Sequence, residues 1–198
     1  MERGDRGQLV TNLSVELFSP TSTVELVGYA EGERVWRGVQ SYRIVPGPTL
    51  FADGARLSMD FSSPNIAPLT TYTSGADVSQ GWTVQNGHLK VGLGDHYPDN
   101  LHSEAALFLD LRGRSQPLTV SFDVEGATEQ DYDYFSVSSI SGSTRTEIVQ
   151  AVSGPIAARH VSFDLTAFLG SQTEIRFTFT SDGGVTGRGV LISNLAVE

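Results

Sequence analysis

The residues in this sequence best suited to chemistry are oxygen donors. Glu129, Asp131 and Asp133 fall close together, and Asp182 opens a Gly-rich turn, Asp182-Gly183-Gly184. Calcium is a hard cation that takes six to eight oxygens from carboxylates, carbonyls and water, and these acids are the right type. The same residues would also serve as solvated turn acids in an acidic chain, and spacing alone does not separate the two readings. A second polar loop, Gly94-Asp95-His96-Tyr97-Pro98-Asp99-Asn100, with two Asp, one His and one Tyr, reads first as an ordinary connection between strands and otherwise as a second calcium loop or a ligand-contacting loop.

Other chemistries find little support. The chain has no Cys, which removes thiolate catalysis, cysteine metal ligands and disulfides. The four histidines are His88, His96, His102 and His160, and the six-residue step from His96 to His102 fits no standard zinc spacing. No Gly-x-Ser-x-Gly and no His-Glu-x-x-His is present. No Gly-rich loop follows a strand and opens a helix, so a nucleotide cradle is not expected. The sequence therefore reads as non-enzymatic.

Charge narrows the partners. There are 13 basic and 23 acidic residues, a formal net charge of -10, and Lys90 is the only lysine. Phosphate backbones need clustered Lys and Arg, so nucleic acid is excluded as a partner, and polybasic attraction to a membrane is excluded with it. No apolar stretch approaches the roughly 20 residues that span a bilayer. The opening Met1-Glu2-Arg3-Gly4-Asp5-Arg6-Gly7 has no hydrophobic region behind it and does not read as a signal peptide. Arg3-Gly4-Asp5 and the acceptor Asn12-Leu13-Ser14 match by chance too easily to carry a function.

The elements that must position these residues are strands. The 198 residues contain 21 Gly and 8 Pro, with Ser, Thr, Val and Phe prominent. Period-two alternation or short apolar runs are predicted as strands over 9–27, 34–45, 55–61, 105–111, 118–124, 132–138, 145–151, 160–165, 174–180 and 190–197. Asn86-Gly87 between two apolar runs predicts a tight hairpin. Residues 62–77 read as loop, broken by Pro64 and Pro68. The only helix-like piece, 166–169, is a turn. Ten-residue spacing with turns between predicts an all-β, antiparallel, jelly-roll-like β-sandwich. Its core is expected from Phe122, Val124, Phe135, Val137, Phe163, Leu165, Ile175, Phe177, Phe179, Val190, Ile192 and Leu195. Residues 1–76 are read either as an N-terminal extension or as further strands of that sandwich, and 77–198 as the main domain.

The second half carries phrases that point to a family. They are Asp131-Tyr132-Asp133-Tyr134-Phe135-Ser136-Val137, Val161-Ser162-Phe163-Asp164-Leu165-Thr166-Ala167-Phe168-Leu169-Gly170, Thr173-Glu174-Ile175-Arg176-Phe177-Thr178-Phe179-Thr180-Ser181-Asp182 and the ending Gly189-Val190-Leu191-Ile192-Ser193-Asn194-Leu195-Ala196-Val197. Together they resemble the MAM-like jelly-roll domains appended to secreted bacterial metallopeptidases of the immune-inhibitor-A type. The resemblance covers about 77–198. It implies a non-catalytic accessory, adhesion or structural module, secreted or at the cell surface, attached to other domains of a larger protein or to a protein or glycan ligand. It also implies Ca2+, with Asp133, Asp182 and either Glu125 or Glu129 as ligands and Asp131 and Asn194 as further candidates. The family usually has Asp-Asn where this chain has Ser193-Asn194.

The alternative reading is a carbohydrate-binding module. Exposed aromatic rings are the usual platform for sugars, and Trp36, Trp82, Tyr72, Tyr97, Tyr132 and Tyr134 are the candidates. Of these, Trp82 resembles the packing Trp of the MAM-like domains and is expected in the core.

Overall fold

The computed structural model describes residues 21–30, 33–43, 48–75 and 77–198, the first two stretches as backbone strands. The expectations for Arg3-Gly4-Asp5, Asn12 and strand residues 9–20 and 44–45 lie outside the described residues. The strands are β1 (Thr21–Ala30), β2 (Glu33–Arg43), β3 (Thr49–Leu50), β4 (Leu57–Met59), β5 (Thr70–Gly75), β6 (Thr83–Gln85), β7 (His88–Lys90), β8 (Leu101–Asp110), β9 (Thr119–Ala127), β10 (Tyr134–Ser141), β11 (Thr144–Val152), β12 (Pro155–Asp164), β13 (Gln172–Thr180) and β14 (Gly189–Val197).

β1 and β2 pair antiparallel as a sheet of their own. The rest form two sheets of a jelly-roll-like sandwich. The first runs β11-β10-β13-β8, and the far edge of β8 is shared end to end by β5 at residues 101–106 and by parallel β3 at 109–110. The second runs β12-β9-β14, and the far edge of β14 is shared in the same way by β7, with β6 beyond it, and by β4. Apart from β3, all pairings are antiparallel. Residues 49–75 thus contribute strands to both sheets.

Alternation produces this architecture. Along β9 and β13 every second residue is buried, placing Val120, Phe122 and Val124 opposite Ile175, Phe177 and Phe179. Phe122 and Phe177 meet edge to face across the sheets at 5.1 Å, and Trp82 meets Phe135 at 6.2 Å. Such pairs add about 0.5–1.5 kcal/mol to the area they bury. The expected core residues are buried except Phe163, which is half-buried against Phe168 on the edge strand β12. The β6–β7 turn has Asn86 at φ 52° and Gly87 at φ 78°, the two positive values that a tight hairpin turn requires.

Several elements differ from the sequence reading: β3 has no counterpart in it, and β8 begins at Leu101 rather than 105. β5 lies inside the stretch read as loop. Its Thr70-Thr71-Tyr72-Thr73 run has high strand propensity, but two prolines just upstream mask the signal. β10 begins at Tyr134 because Asp131, at φ 66°, turns the chain before it. β12 starts five residues earlier than alternation indicates, since an irregularity between Ile156 and Arg159 breaks the period.

Candidate functional site

Three loops meet at one end of the sandwich: 92–100 before β8, 128–133 between β9 and β10, and 181–188 between β13 and β14. Backbone bonds close the second loop. Asp133 N donates to Glu129 O, and Thr128 Oγ1 donates to Asp133 O at 2.9 Å while accepting from Gly154 N at 2.9 Å. The first and third loops are joined through Ser181, whose hydroxyl donates to Pro98 O and accepts from Leu101 N. Asn100 N donates to Asp182 O at 2.6 Å.

This folding brings Glu129, Asp133 and Asp182 together, with one carboxylate oxygen from each within 4.8 Å of the others. Asp133 is 1% exposed and anchors the group. Its Oδ1 accepts from Asp182 N at 2.9 Å, and its Oδ2 accepts from the Tyr97 hydroxyl at 2.5 Å. Glu129 Oε2 accepts from Val185 N, and Asp182 Oδ1 from Gly184 N. Burial, and next the bond to Asp133, push the Tyr97 phenol far above its usual range, so it stays a neutral donor. Among the described residues, no Arg, Lys or His lies within ion-pair distance of the three acids.

The donor set fits a hard divalent cation. It offers carboxylate oxygens alone, and each oxygen that accepts one hydrogen bond keeps a second lone pair. Gly184 leaves room beside them: a Cβ there would stand 3.1 Å from both Asp182 Oδ1 and Glu129 Oε2.

The remaining candidates are placed elsewhere or engaged otherwise. Glu125 pairs with Arg188 at 3.3 Å. Asp131 is exposed and accepts from Gln130. Asn194 sits at a break in the β14–β9 register with φ 50° and donates to Asp123 Oδ2 at 2.6 Å. Asp123 also bonds His160 at 2.7 Å, and these two contacts hold its carboxyl below the usual range. Among the histidines, His102 bonds Glu104 and His96 faces Thr186.

Tyr97 and Trp82 are buried and offer no platform to a sugar, whereas Tyr132 is 60% exposed. The sequence does not show that the Tyr97 hydroxyl holds the 128–133 loop, although its own loop is polar enough to suggest a calcium or ligand contact. An aromatic hydroxyl among acids, followed by Pro98, was the available signal.

Sequence reasoning also missed a polar network on the first sheet. On β5, β8 and β13 the residues that alternate with the core put Tyr72 opposite Glu104, and Glu104 opposite Thr178. Arg176, one step along, reaches both neighbouring acids. Its Nε and Nη2 donate to Glu174 at 2.5 and 3.0 Å, and its Nη1 donates to Glu104 at 3.3 Å. The bond to Glu174 raises the Arg176 pKa, partly opposed by burial. His102 continues the network at 3.3 Å from Glu104, and its ring stands edge-on to Tyr72 at 6.3 Å.

No family model matches the chain, and no curated protein matches it. Solved structures with a similar chain path include a carbohydrate-binding module in complex with β-1,4-galactotriose, 10% identical with a TM-score of 0.47, covering 70% of this chain and 93% of that one. Another is the K3 cleaved adhesin domain of Lys-gingipain from Porphyromonas gingivalis, 14% identical with a TM-score of 0.48, covering 73% and 99%. A third is a family 11 carbohydrate-binding module from Clostridium thermocellum in complex with a β-1,3-1,4-mixed-linked tetrasaccharide, 12% identical with a TM-score of 0.35, covering 72% and 86%.

Proposed function

We propose that this protein is a non-catalytic glycan-recognition module, with the ligand on the outward face of the first sheet and a Ca2+ ion holding the loops at one end. The observation that carries the reading is the Arg176 network. Arg176 is fixed between Glu174 and Glu104, beside His102 and Tyr72. The Glu104 and Glu174 carboxylates are largely buried and hold the guanidinium in place, while His102, with 40% of its side chain exposed, and the half-buried Tyr72 would meet the ligand. A network already locked by its own ion pairs loses little freedom when a ligand arrives. The Tyr72 ring supplies an apolar surface for the C–H face of a sugar.

Ca2+ at Glu129, Asp133 and Asp182 is the second part of the reading. It rests on the all-oxygen donor set and on the absence of a paired cation among the described residues. We place the module outside the cell as part of a larger secreted or surface protein, in keeping with the resemblance to accessory jelly-roll domains. Its sandwich would run from about residue 48 to 198, with β1 and β2 as an extension.

The test is calorimetric titration of the protein with soluble oligosaccharides of differing linkage, in calcium. One linkage class is expected to saturate. Tyr72→Ala and His102→Ala should each weaken it about tenfold or more without changing the circular dichroism spectrum. Absence of saturable binding across the panel, or binding unaffected by both substitutions, would overturn the glycan reading.

A further inference from the structure

Apolar side chains scattered singly over a surface are normal, but clustered ones mark contact surfaces. Five stand out among the described residues: Leu50, Leu93, Tyr132, Tyr134 and Val185. Four of them lie on or directly beside the three loops that enclose Glu129, Asp133 and Asp182. Leu93 is 65% exposed, Val185 68%, Tyr132 60% and Tyr134 38%.

The backbone beneath Leu93 and Val185, and the Tyr134 ring, are held in place. Leu93 stands on a turn closed by Leu93 N to His96 O at 2.9 Å, between Gly92 at φ 88° and Gly94 at φ 61°. A Cβ at Gly92 would come within 2.7 Å of His96 O, so only glycine fits there. Val185 N is bonded to Glu129 Oε2. The Tyr134 hydroxyl donates to Asp131 O at 2.7 Å. The His96–Thr186 contact at 3.3 Å joins the Leu93 turn to the Val185 loop.

The charge around this patch is acidic. Asp95 and Asp131 are exposed, Asp99 is half-buried, and the three clustered acids lie between the loops. The nearby cations are engaged: Lys90 donates to Gly94 O, and Arg188 pairs with Glu125. An anionic bilayer would be repelled here, and so would the same face of a second copy.

We infer that this loop end docks a basic peptide segment of a protein partner, with aliphatic side chains that meet Leu93, Val185 and Tyr132 and Lys or Arg side chains that meet Asp95 and Asp131. Preorganised apolar tips supply the contact area, and the acidic surround supplies the choice of partner. Leu93, Val185 and Tyr132 lie on the loops, whereas Tyr134 shares the outward face of the first sheet with His102, through Thr180 between them.

The test uses the whole protein with calcium held constant and a fluorescent peptide of alternating Lys and Leu as the probe. Peptides of alternating Glu and Leu, and of alternating Lys and Ser, are the controls. Saturable anisotropy is expected with the first peptide alone. The double variant Leu93→Ser, Val185→Ser should weaken it about tenfold or more, and so should Asp95→Asn, Asp131→Asn. These positions are exposed, so the melting temperature should stay close to that of the parent. Tyr72→Ala should leave peptide binding unchanged, which separates this surface from the glycan face. Absence of binding, equal binding of the Lys/Ser peptide, or indifference to both double variants would overturn the inference. Vesicle co-sedimentation lost in Leu93→Ser, Val185→Ser would assign the patch to a bilayer instead. A concentration-dependent dimer lost in that variant would assign it to a second copy.

Discussion

The Tyr97 hydroxyl lies between two groups from the 128–133 loop, donating to Asp133 Oδ2 at 2.5 Å and accepting from the Glu129 amide at 2.9 Å. One side chain thereby fixes two of the three clustered acids from a separate loop, while its ring packs edge to face on Phe179 at 4.8 Å. Tyr97→Phe keeps the ring and removes both bonds. Leaving a buried carboxylate and an amide without this partner should lower stability by about 1–3 kcal/mol. The expected result is a lower urea midpoint with an unchanged slope. An unchanged midpoint would mean that the hydroxyl is replaceable by water.

Metal binding should be visible as stability. A cation that binds only the folded form adds RT ln(1 + [L]/Kd), about 2.7 kcal/mol at 100 times Kd. In a chain of this length that is a rise of several degrees in melting temperature. Calcium is expected to produce it after EDTA treatment, and magnesium at matched ionic strength much less, because magnesium demands tighter octahedral geometry. Asp133→Asn and Asp182→Asn should remove the calcium-specific part. A parent protein with equal melts in calcium, magnesium and EDTA, and without bound calcium by elemental analysis, would exclude the site.

Core packing gives a sharper number. Phe177 is fully buried and meets Phe122 across the sheets at 5.1 Å. Phe177→Ala should cost about 3–5 kcal/mol. Phe163→Ala, on the half-buried edge strand, should cost clearly less. Chemical denaturation of the two variants side by side tests the ranking.

Among the described residues, Asp123 is one of six carboxyls, with Asp53, Asp60, Asp77, Asp110 and Asp164, that are held below the ordinary value and through which acid should act. Its pKa is held below the ordinary 3.8, chiefly by Asn194 and then by His160. A depressed carboxyl contributes stability above its unfolded value and loses it as pH falls through the folded value. The loss therefore begins as pH drops toward 3.8 and is complete below the folded pKa. Asp123→Asn should remove its share of that part of the stability profile. Urea midpoints measured between about pH 2 and 6 would show it.

The sequence revealed most where alternation was strict. β9 and β13 read directly from period-two burial, and the β6–β7 turn from Asn86-Gly87, because each is a local signal. Asp133 and Asp182 could be picked out by type and by the family resemblance. Their meeting with Glu129 depends on how β10, β13 and β14 are ordered, which no local pattern encodes. The Arg176 network was invisible for a similar reason: Glu104 and Arg176 are 72 positions apart and become neighbours only through the β8–β13 register. Tyr72 is visible as an aromatic, but the prolines near β5 conceal the strand that carries it.

The end-to-end sharing of β8 and β14 sets where this chain can be cut. β3, β4 and β5 cover edges that would otherwise carry unpaired amide and carbonyl groups. A fragment beginning at residue 77 would uncover both edges together, along with the cavity left by Phe51, Met59, Phe61 and Leu69. Bare strand edges beside an opened core are a template for pairing with other copies. Such a fragment is expected to precipitate, whereas one beginning near residue 48 keeps both seams closed and should remain in solution.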